Sequence, residues 1–452
     1  MDTICAIATG TGGAISIIRV SGKQAIEIVN AIFTKNILEA KTHSIHHGFI
    51  IEPEAQNGLI DEVVVSVFRA PHSYTGENSV EIACHGSKYI LNKVIELLIR
   101  QGCCVANPGE FTQRAFLNNK LDLSQAEAVA DLIASSNRAT HQMALSQLRG
   151  HFSSELTQLR QQLLKLTSLL ELELDFSDHE DLEFADRKEL LTLARKIEKR
   201  ITQLANSYIK GQYIKHGIPV VLVGKTNVGK SSLLNRLLKD DRAIVSDQHG
   251  TTRDTIEDTL DINGISFRFI DTAGLRKTKN KIEQMGIQRT QMAINKALIV
   301  LWIIDKQPTK GEIQKMQELS SGKKLIIVQN KIDVSDPIDS NCFLPYAVNL
   351  IYFSAKQNKN TDVIENAIFN AAGIGNYKDN EIIVSNARHY DVLTKANVSI
   401  KEVINGLQQQ LSGDLIAEDL RKTIDILSEI TGEQITSDEV LSNIFKHFCV
   451  GK

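Results

Sequence analysis

The chain has 452 residues, room for two to four domains at roughly 100–200 residues each. Lys and Arg number 51 against 54 Asp and Glu, a net charge of −3, which excludes a global basic field for nucleic acid and leaves that role to a local patch. A hydrophobic content of 42%, no run approaching the ~18 apolar residues of a membrane span, and a start (MDTICAIATG) without a basic or Arg-rich leader give the expectation of a cytoplasmic protein that is neither secreted nor membrane-anchored.

Residues 1–118 read as an α+β domain. ICAIA, AISIIR, SIHHGFII, EVVVSVF and SVEIACHG have the β-branched content of strands, and SKYILNKVIELLIR has helical periodicity. Only seven prolines occur, where average usage of about 5% would give roughly three times that number. None lies between Pro108 and Pro219 or after Pro345, so two long stretches can be helical without interruption.

In the first stretch, 119–215, Leu156, Leu159, Leu163, Leu166 and Leu170 form one helical stripe. Leu190, Ala194, Ile197, Ile201, Leu204 and Tyr208 form a second. The acidic ELELDFSDHEDLEFAD between them reads as a solvated connection. In the last stretch, 374–452, Thr436 and Glu439 have capping-box spacing ahead of Leu441, Ile444, Phe445 and Phe448. Neither stretch closes its own apolar faces, so the two are expected to pack as one helical domain with residues 216–373 inserted. That insert alternates VVLVG, ISFRFID, ALIVLWIID and KLIIVQNK with helices, the pattern of a mostly parallel, doubly wound sheet. The six cysteines (Cys5, Cys84, Cys103, Cys104, Cys342, Cys449) show no C-x-x-C pair and read as reduced thiols, with no zinc site expected.

The insert carries the chemistry. Gly224-Lys225-Thr226-Asn227-Val228-Gly229-Lys230-Ser231 matches G-x-x-x-x-G-K-[ST] between a strand and a helix that begins at Ser231-Ser232. Its backbone N–H groups suit phosphates, Lys230 the β/γ oxygens and Ser231 a Mg²⁺ ion. Asn330-Lys331-Ile332-Asp333 closes the KLIIVQ strand; a carboxylate at Asp333 accepts from the N1–H and amine of guanine. Ser354-Ala355-Lys356 supports the guanine O6. Asp271-Thr272-Ala273-Gly274 supplies the D-x-x-G element at the metal and γ-phosphate. Thr251-Thr252 offers a hydroxyl to the metal, so GTP is the expected nucleotide. Leu275 follows D-T-A-G where small GTPases keep a water-orienting glutamine, so another group must serve. Glu283 is a candidate, but the residues alone favour reading it as an exposed glutamate at a helix start. Asn227 offers an oxygen to a monovalent cation where an arginine finger's charge would lie.

The whole chain resembles the tRNA-modifying GTPase family MnmE (TrmE). The resemblance rests on IIRVSG, YTGENSVEIACHG, NPGEFTQRAFLNNKLDLSQAEAVADLI, the GTPase elements, LSEITGE and the terminal Phe448-Cys449-Val450-Gly451-Lys452. It implies an N-terminal tetrahydrofolate-binding and dimerisation domain, and a homodimer whose GTPase domains meet across their switch faces. It further implies a heterotetramer-type complex with a FAD-carrying partner, MnmG, and tRNA as substrate. The two proteins would add an aminomethyl or carboxymethylaminomethyl group to C5 of the wobble uridine, the one-carbon unit coming from a tetrahydrofolate derivative.

Carried over by motif, K⁺ falls to Asn227, Ser246, Gln248 and Thr251, and Mg²⁺ to Ser231 and Thr252. GTP falls to the segments Asn227–Ser232, Ser246-Asp247-Gln248-His249-Gly250-Thr251-Thr252 and Asp271–Gly274 together with the guanine elements. Glu283 falls at the family's water-orienting glutamate, and folate at Arg19, Glu81, Lys120 and Lys452. Cys449 sits at the family's C-terminal cysteine, and core packing is the equal alternative for it. The loop Thr9-Gly10-Thr11-Gly12-Gly13 departs from the family's Pro-Gly-Arg-Gly-Gly, and Ser246 replaces a threonine. A ribosome-assembly GTPase and a nucleotide-regulated scaffold share the GTP elements and are the competing readings.

Overall fold

The computed structural model describes residues 2–10, 12–55, 58–175, 187–239, 257–271, 290–343, 349–357, 359–374, 381–433, 444–446, 448 and 450–451. The chain divides into two compact units. One comprises Met1–Ala134, Ala144–Ile201 and Asp391–Lys452; the other comprises Ser135–Met143 and Thr202–Tyr390.

The first unit begins with a six-stranded sheet of order β3-β4-β5-β2-β1-β6. Its strands are β1 (Ile4–Ile7), β2 (Ile15–Ser21), β3 (Ser44–Ile51), β4 (Leu59–Phe68), β5 (Ser79–His85) and β6 (Cys104–Val105). All neighbours are antiparallel except β1 and β6. Period-two alternation decides which face is covered. Val63, Val65 and Val67 of β4 and Val80 and Ile82 of β5 turn inward, against Ile26 and Val29 of α1 (Ala25–Ile32) and Val94, Leu97 and Leu98 of α2 (Lys88–Arg100). The strands and the helix expected within residues 1–118 are all present. α1 was missed because it spans only eight residues, and so was α3 (Glu110–Leu117).

The helical part of this unit contains α3, α4 (Leu123–Ala134), α6 (His151–Asp175) and α12 (Gly413–Thr431). The leucine stripe of α6 is buried over its whole length. It meets the stripe Ile416, Leu420, Ile424 and Leu427 of α12, and Arg421 of α12 pairs with Glu171 of α6 at 2.6 Å. The expectation that the two proline-free stretches pack together is met here. Gly432 ends α12 at φ 83°, and a Cβ there would meet the Phe116 ring at 2.9 Å, so glycine is required twice over. Phe445 is buried with Leu123 and Ala126, against Phe116 and Phe448. Thr436, Glu439 and Leu441 lie outside the described residues.

The second unit is built on a sheet of order β12-β11-β10-β7-β9-β8. The parallel strands are β7 (Ile218–Val223), β9 (Ile265–Asp271), β10 (Ile299–Ile304), β11 (Lys324–Gln329) and β12 (Asn349–Tyr352). β8 (Glu257–Ile262) runs antiparallel to β9 through a turn at Asn263-Gly264, both with φ above zero, as a two-residue hairpin demands. Every residue of β7 and β10 is buried, because apolar cores cover both faces of the sheet. α8 (Lys230–Lys239), α9 (Lys310–Leu319) and α10 (Thr361–Ala371) belong to this unit, α9 opening with a Thr309–Glu312 capping box. The doubly wound reading is met, with one antiparallel edge strand added. Three helices contribute residues to both units: α5 (Arg138–Leu148), α7 (Arg187–His216) and α11 (Ala387–Gln408). The expected division at 118/119 falls inside one compact unit, and the insert is accompanied by the second half of α7 and by 374–390.

Candidate functional site

In a parallel sheet every strand delivers its carboxyl end to the same edge. The registers Leu222↔Asp271, Trp302↔Val223, Ile304↔Gln329 and Gln329↔Tyr352 align those ends. Gly224, Asp271, Asp305, Asn330 and Ser354 therefore emerge along one line, although up to 130 positions separate them in the chain.

The P-loop is shaped by steric demand. A Cβ on Gly224 would meet the Ile303 carbonyl oxygen at 2.3 Å, and one on Gly229, at φ 97°, would meet the Asn330 amide nitrogen at 2.1 Å. Lys230 opens α8 and donates to the carbonyls of Gly224 and Lys225 at 2.7 and 2.6 Å, which holds its ammonium over the loop. Ser231 and Ser232 follow, both exposed, in the first turn of α8, where unpaired backbone N–H groups favour an anion. Lys225 pairs with Glu312 of α9 at 2.5 Å. That ammonium, with the Thr309 N–H, holds the Glu312 carboxyl below its ordinary range.

Asn330 joins three elements. Its side chain is nearly buried, donates to the Val228 carbonyl at 2.9 Å and accepts from the Ala355 N–H at 3.3 Å. Ser354 Oγ donates to Asp333 Oδ1 at 2.8 Å, which fixes the carboxylate expected to read guanine. Lys356 follows Ala355, exposed. Lys331 Nζ donates to the Asn227 carbonyl at 2.7 Å and pairs with Asp305 at 2.9 Å. A cavity of about 530 Å³ opens beside the loop, lined by Gly224, Lys225, Val228, Trp302, Met316 and Leu319 among others. Neither Asn330, Asp333 nor Ser354 lines it.

In the first unit, Arg19 and Glu81 face each other across β2 and β5 and pair at 2.8 Å. The Arg19 guanidinium also lies over the rings of Tyr74 and Phe111, at 5.4 and 5.7 Å, and donates to the Gly451 carbonyl at 3.4 Å. Gly451 sits so close to β1 that a Cβ would meet the Ile7 carbonyl at 2.4 Å, which brings this glycine to the pair. Lys120 is exposed and donates to the Pro71 carbonyl at 3.1 Å, in the loop that leads to Tyr74. Elsewhere in the same unit Arg114, almost wholly buried, pairs with Glu77 and Glu110 and donates to the Asp2 carbonyl at 2.7 Å.

Sequence reasoning missed Asp305, Tyr74, Phe111 and this Arg114 cluster. Tyr74 and Phe111 lie inside the quoted YTGEN and NPGEF stretches, yet nothing in spacing says that they share a guanidinium. Ser246, Asp247, Gln248, His249, Gly250, Thr251, Thr252, Thr272, Ala273, Gly274, Glu283, Cys449 and Lys452 lie outside the described residues, and Asp271 is described only through its backbone at the end of β9.

Residues 3–120 match the family model "GTP-binding protein TrmE N-terminus", and residues 123–449 match "MnmE helical domain". A curated "tRNA modification GTPase MnmE" from Bacteroides thetaiotaomicron is 52% identical over 467 residues, covering 100% of this chain and 99% of the relative. The chain belongs to the MnmE family. Proteins of the same name from Phocaeicola vulgatus and Flavobacterium johnsoniae are 50% and 48% identical, each over 100% of this chain and 99% of the relative. The match to MnmE proteins therefore runs through both compact units, not through the P-loop sheet alone.

Proposed function

We propose that the chain hydrolyses GTP to drive a step of tRNA modification. The observation that carries this is Asn330, one buried amide that ties the P-loop, the N-K-x-D stretch and Ser354-Ala355-Lys356 into a single nucleotide site. Full-length likeness to tRNA modification GTPases supplies the process. In this reading the P-loop from Asn227 to Ser232 takes the phosphates, and Asp333, with Ser354 and Ala355, takes guanine. Ser231 and Thr252 hold Mg²⁺, which neutralises charge between the β- and γ-phosphates. The exposed hydroxyl of Ser231 at a helix start fits such an ion.

K⁺ is held by Asn227, Ser246, Gln248 and Thr251 and supplies the charge of an arginine finger when two GTPase domains meet; Glu283 orients water. Asn227 fits a loop ligand because its backbone is fixed at φ 64° by the Lys331 ammonium. Arg19 and Glu81, with Lys120 and Lys452 near them in the reading, bind a tetrahydrofolate derivative. A guanidinium–carboxylate pair beside the Tyr74 and Phe111 rings presents donors, acceptors and flat apolar surface, as a pterin requires. The cofactor supplies the one-carbon unit. A cytoplasmic homodimer working with the flavoprotein MnmG at C5 of the wobble uridine completes the proposal.

GTP turnover by the full chain in KCl and in NaCl at equal ionic strength tests the GTPase half. A several-fold excess in KCl is expected, and equal rates would remove the cation. Nucleoside analysis of tRNA from a deletion strain tests the process. Wobble uridines still fully modified would end the assignment.

A further inference from the structure

We propose that Asp305 is a positioning residue of the nucleotide site, acting through Lys331 to fix the backbone of Asn227. The proposal rests on the assignment of Asn227 to a monovalent cation for one of its two readouts only.

Asp305 is the first residue after β10, about three-quarters buried at its side chain, and its Oδ2 lies 2.9 Å from Lys331 Nζ. The same ammonium donates to the Asn227 carbonyl at 2.7 Å. One side chain thus links the loops that follow β7, β10 and β11. Two of these three residues hold left-handed backbone, Asn227 at φ 64° and Lys331 itself at φ 65°. Non-glycine residues hold left-handed backbone only where neighbouring groups over-determine it, and such positions concentrate at functional sites.

Removing the Asp305 carboxylate would leave the partly exposed Lys331 ammonium with its solvent as the competing partner. The bond to Asn227 would then hold the P-loop less firmly. The carboxylate has an electrostatic effect as well. An uncompensated ammonium bonded to Asn227 would repel a cation held by that residue, and Asp305 neutralises it at a charge-assisted hydrogen-bond distance. Loop geometry and charge therefore depend on the same side chain, and the two can be separated. Asp305→Asn keeps the shape and removes the charge; Asp305→Ala removes both; Asp305→Glu restores the charge on a longer arm.

The test uses the full chain and two readouts, the release rate of mant-GDP and the K⁺ concentration giving half-maximal GTP turnover. Asp305→Ala is expected to speed release at least tenfold and raise half-activating K⁺ at least fivefold, with the melting temperature unchanged. Asp305→Asn is expected to shift K⁺ more than release, and Asp305→Glu to recover most of both. In a Lys331→Ala background, Asp305→Ala is expected to add less than twofold, because the residue acts through that lysine. Release and K⁺ response both within twofold of the parent, or a full effect persisting without Lys331, would overturn the proposal. If Asp305→Ala fails to fold, the near-isosteric Asp305→Asn decides. If the parent turns over GTP equally in KCl and NaCl, the cation assignment falls by itself, and mant-GDP release decides whether Asp305 positions the loop.

Discussion

Replacing Asn330 by alanine tests the nucleotide site at the residue where its three loops meet. The side chain gives one hydrogen bond to Val228 O and accepts one from Ala355 N, and it is 3% exposed. Each bond contributes a net ~0.5–1.5 kcal/mol, and a partner left buried and unpaired costs ~1–3 kcal/mol. The Val228 carbonyl is buried, whereas Ala355 is only half-buried and regains water. The sum is therefore about 2 kcal/mol, from one unpaired carbonyl and one modest bond lost. Both partners are loop backbone, so the loss falls on the order of the P-loop and of residues 354–356. Nucleotide affinity should drop by roughly 30-fold, at 1.4 kcal/mol per tenfold. Fluorescence titration of the full chain with mant-GDP measures it directly. Gly229→Ala, whose Cβ would strike the same amide, is expected to weaken binding in the same direction. An Asn330→Ala protein that binds mant-GDP within threefold of the parent would refute the view that this amide organises the site.

Two further outcomes concern the first unit. Arg114→Ala leaves Glu77 and Glu110 facing each other where a nearly buried guanidinium had paired both. Losing one partner of a buried ion pair costs about 3–5 kcal/mol, so this unit should unfold at clearly lower urea; an unchanged midpoint would show that water replaces the arginine. Burial, with the Asp61 charge adding to it, pushes the Cys84 thiol up to about 11, whereas Cys104 is exposed on the sheet's last strand. The thiolate is the reactive form, so iodoacetamide at pH 8 should label Cys104 well ahead of Cys84 in the native chain, with peptide mass spectrometry as the readout.

Much of the architecture is legible in the sequence because the relevant forces are local or periodic. The leucines of α6 repeat every three or four positions, and that spacing alone puts them on one buried stripe. The inner valines of β4, Val63, Val65 and Val67, fall at every second position and so share one face, but the sequence does not say that Val64 between them stays exposed. The P-loop and N-K-x-D stretches are readable because each needs particular residues at fixed offsets beside a strand end. Short helices such as α1 and α3 escape because eight residues carry too little periodicity to distinguish from a turn.

The sequence alone also names Asn330, Lys331 and Asp333, but not what holds them. That Asn330 pairs with Val228, 102 positions away, follows only from strand order in the second sheet, since β10 lies between β7 and β11. The Lys331–Asp305 pair arises in the same way, where two neighbouring parallel strands end in line. Arg19 and Glu81 could be named by resemblance, yet their contact, the two rings beneath the guanidinium and the arrival of Gly451 depend on β2 pairing with β5 and on the return of the chain's end. Periodicity records which side of an element is apolar; it carries no information about which polar groups meet when distant elements close on one another. Those meetings are set by sheet order and register, which only the folded chain contains.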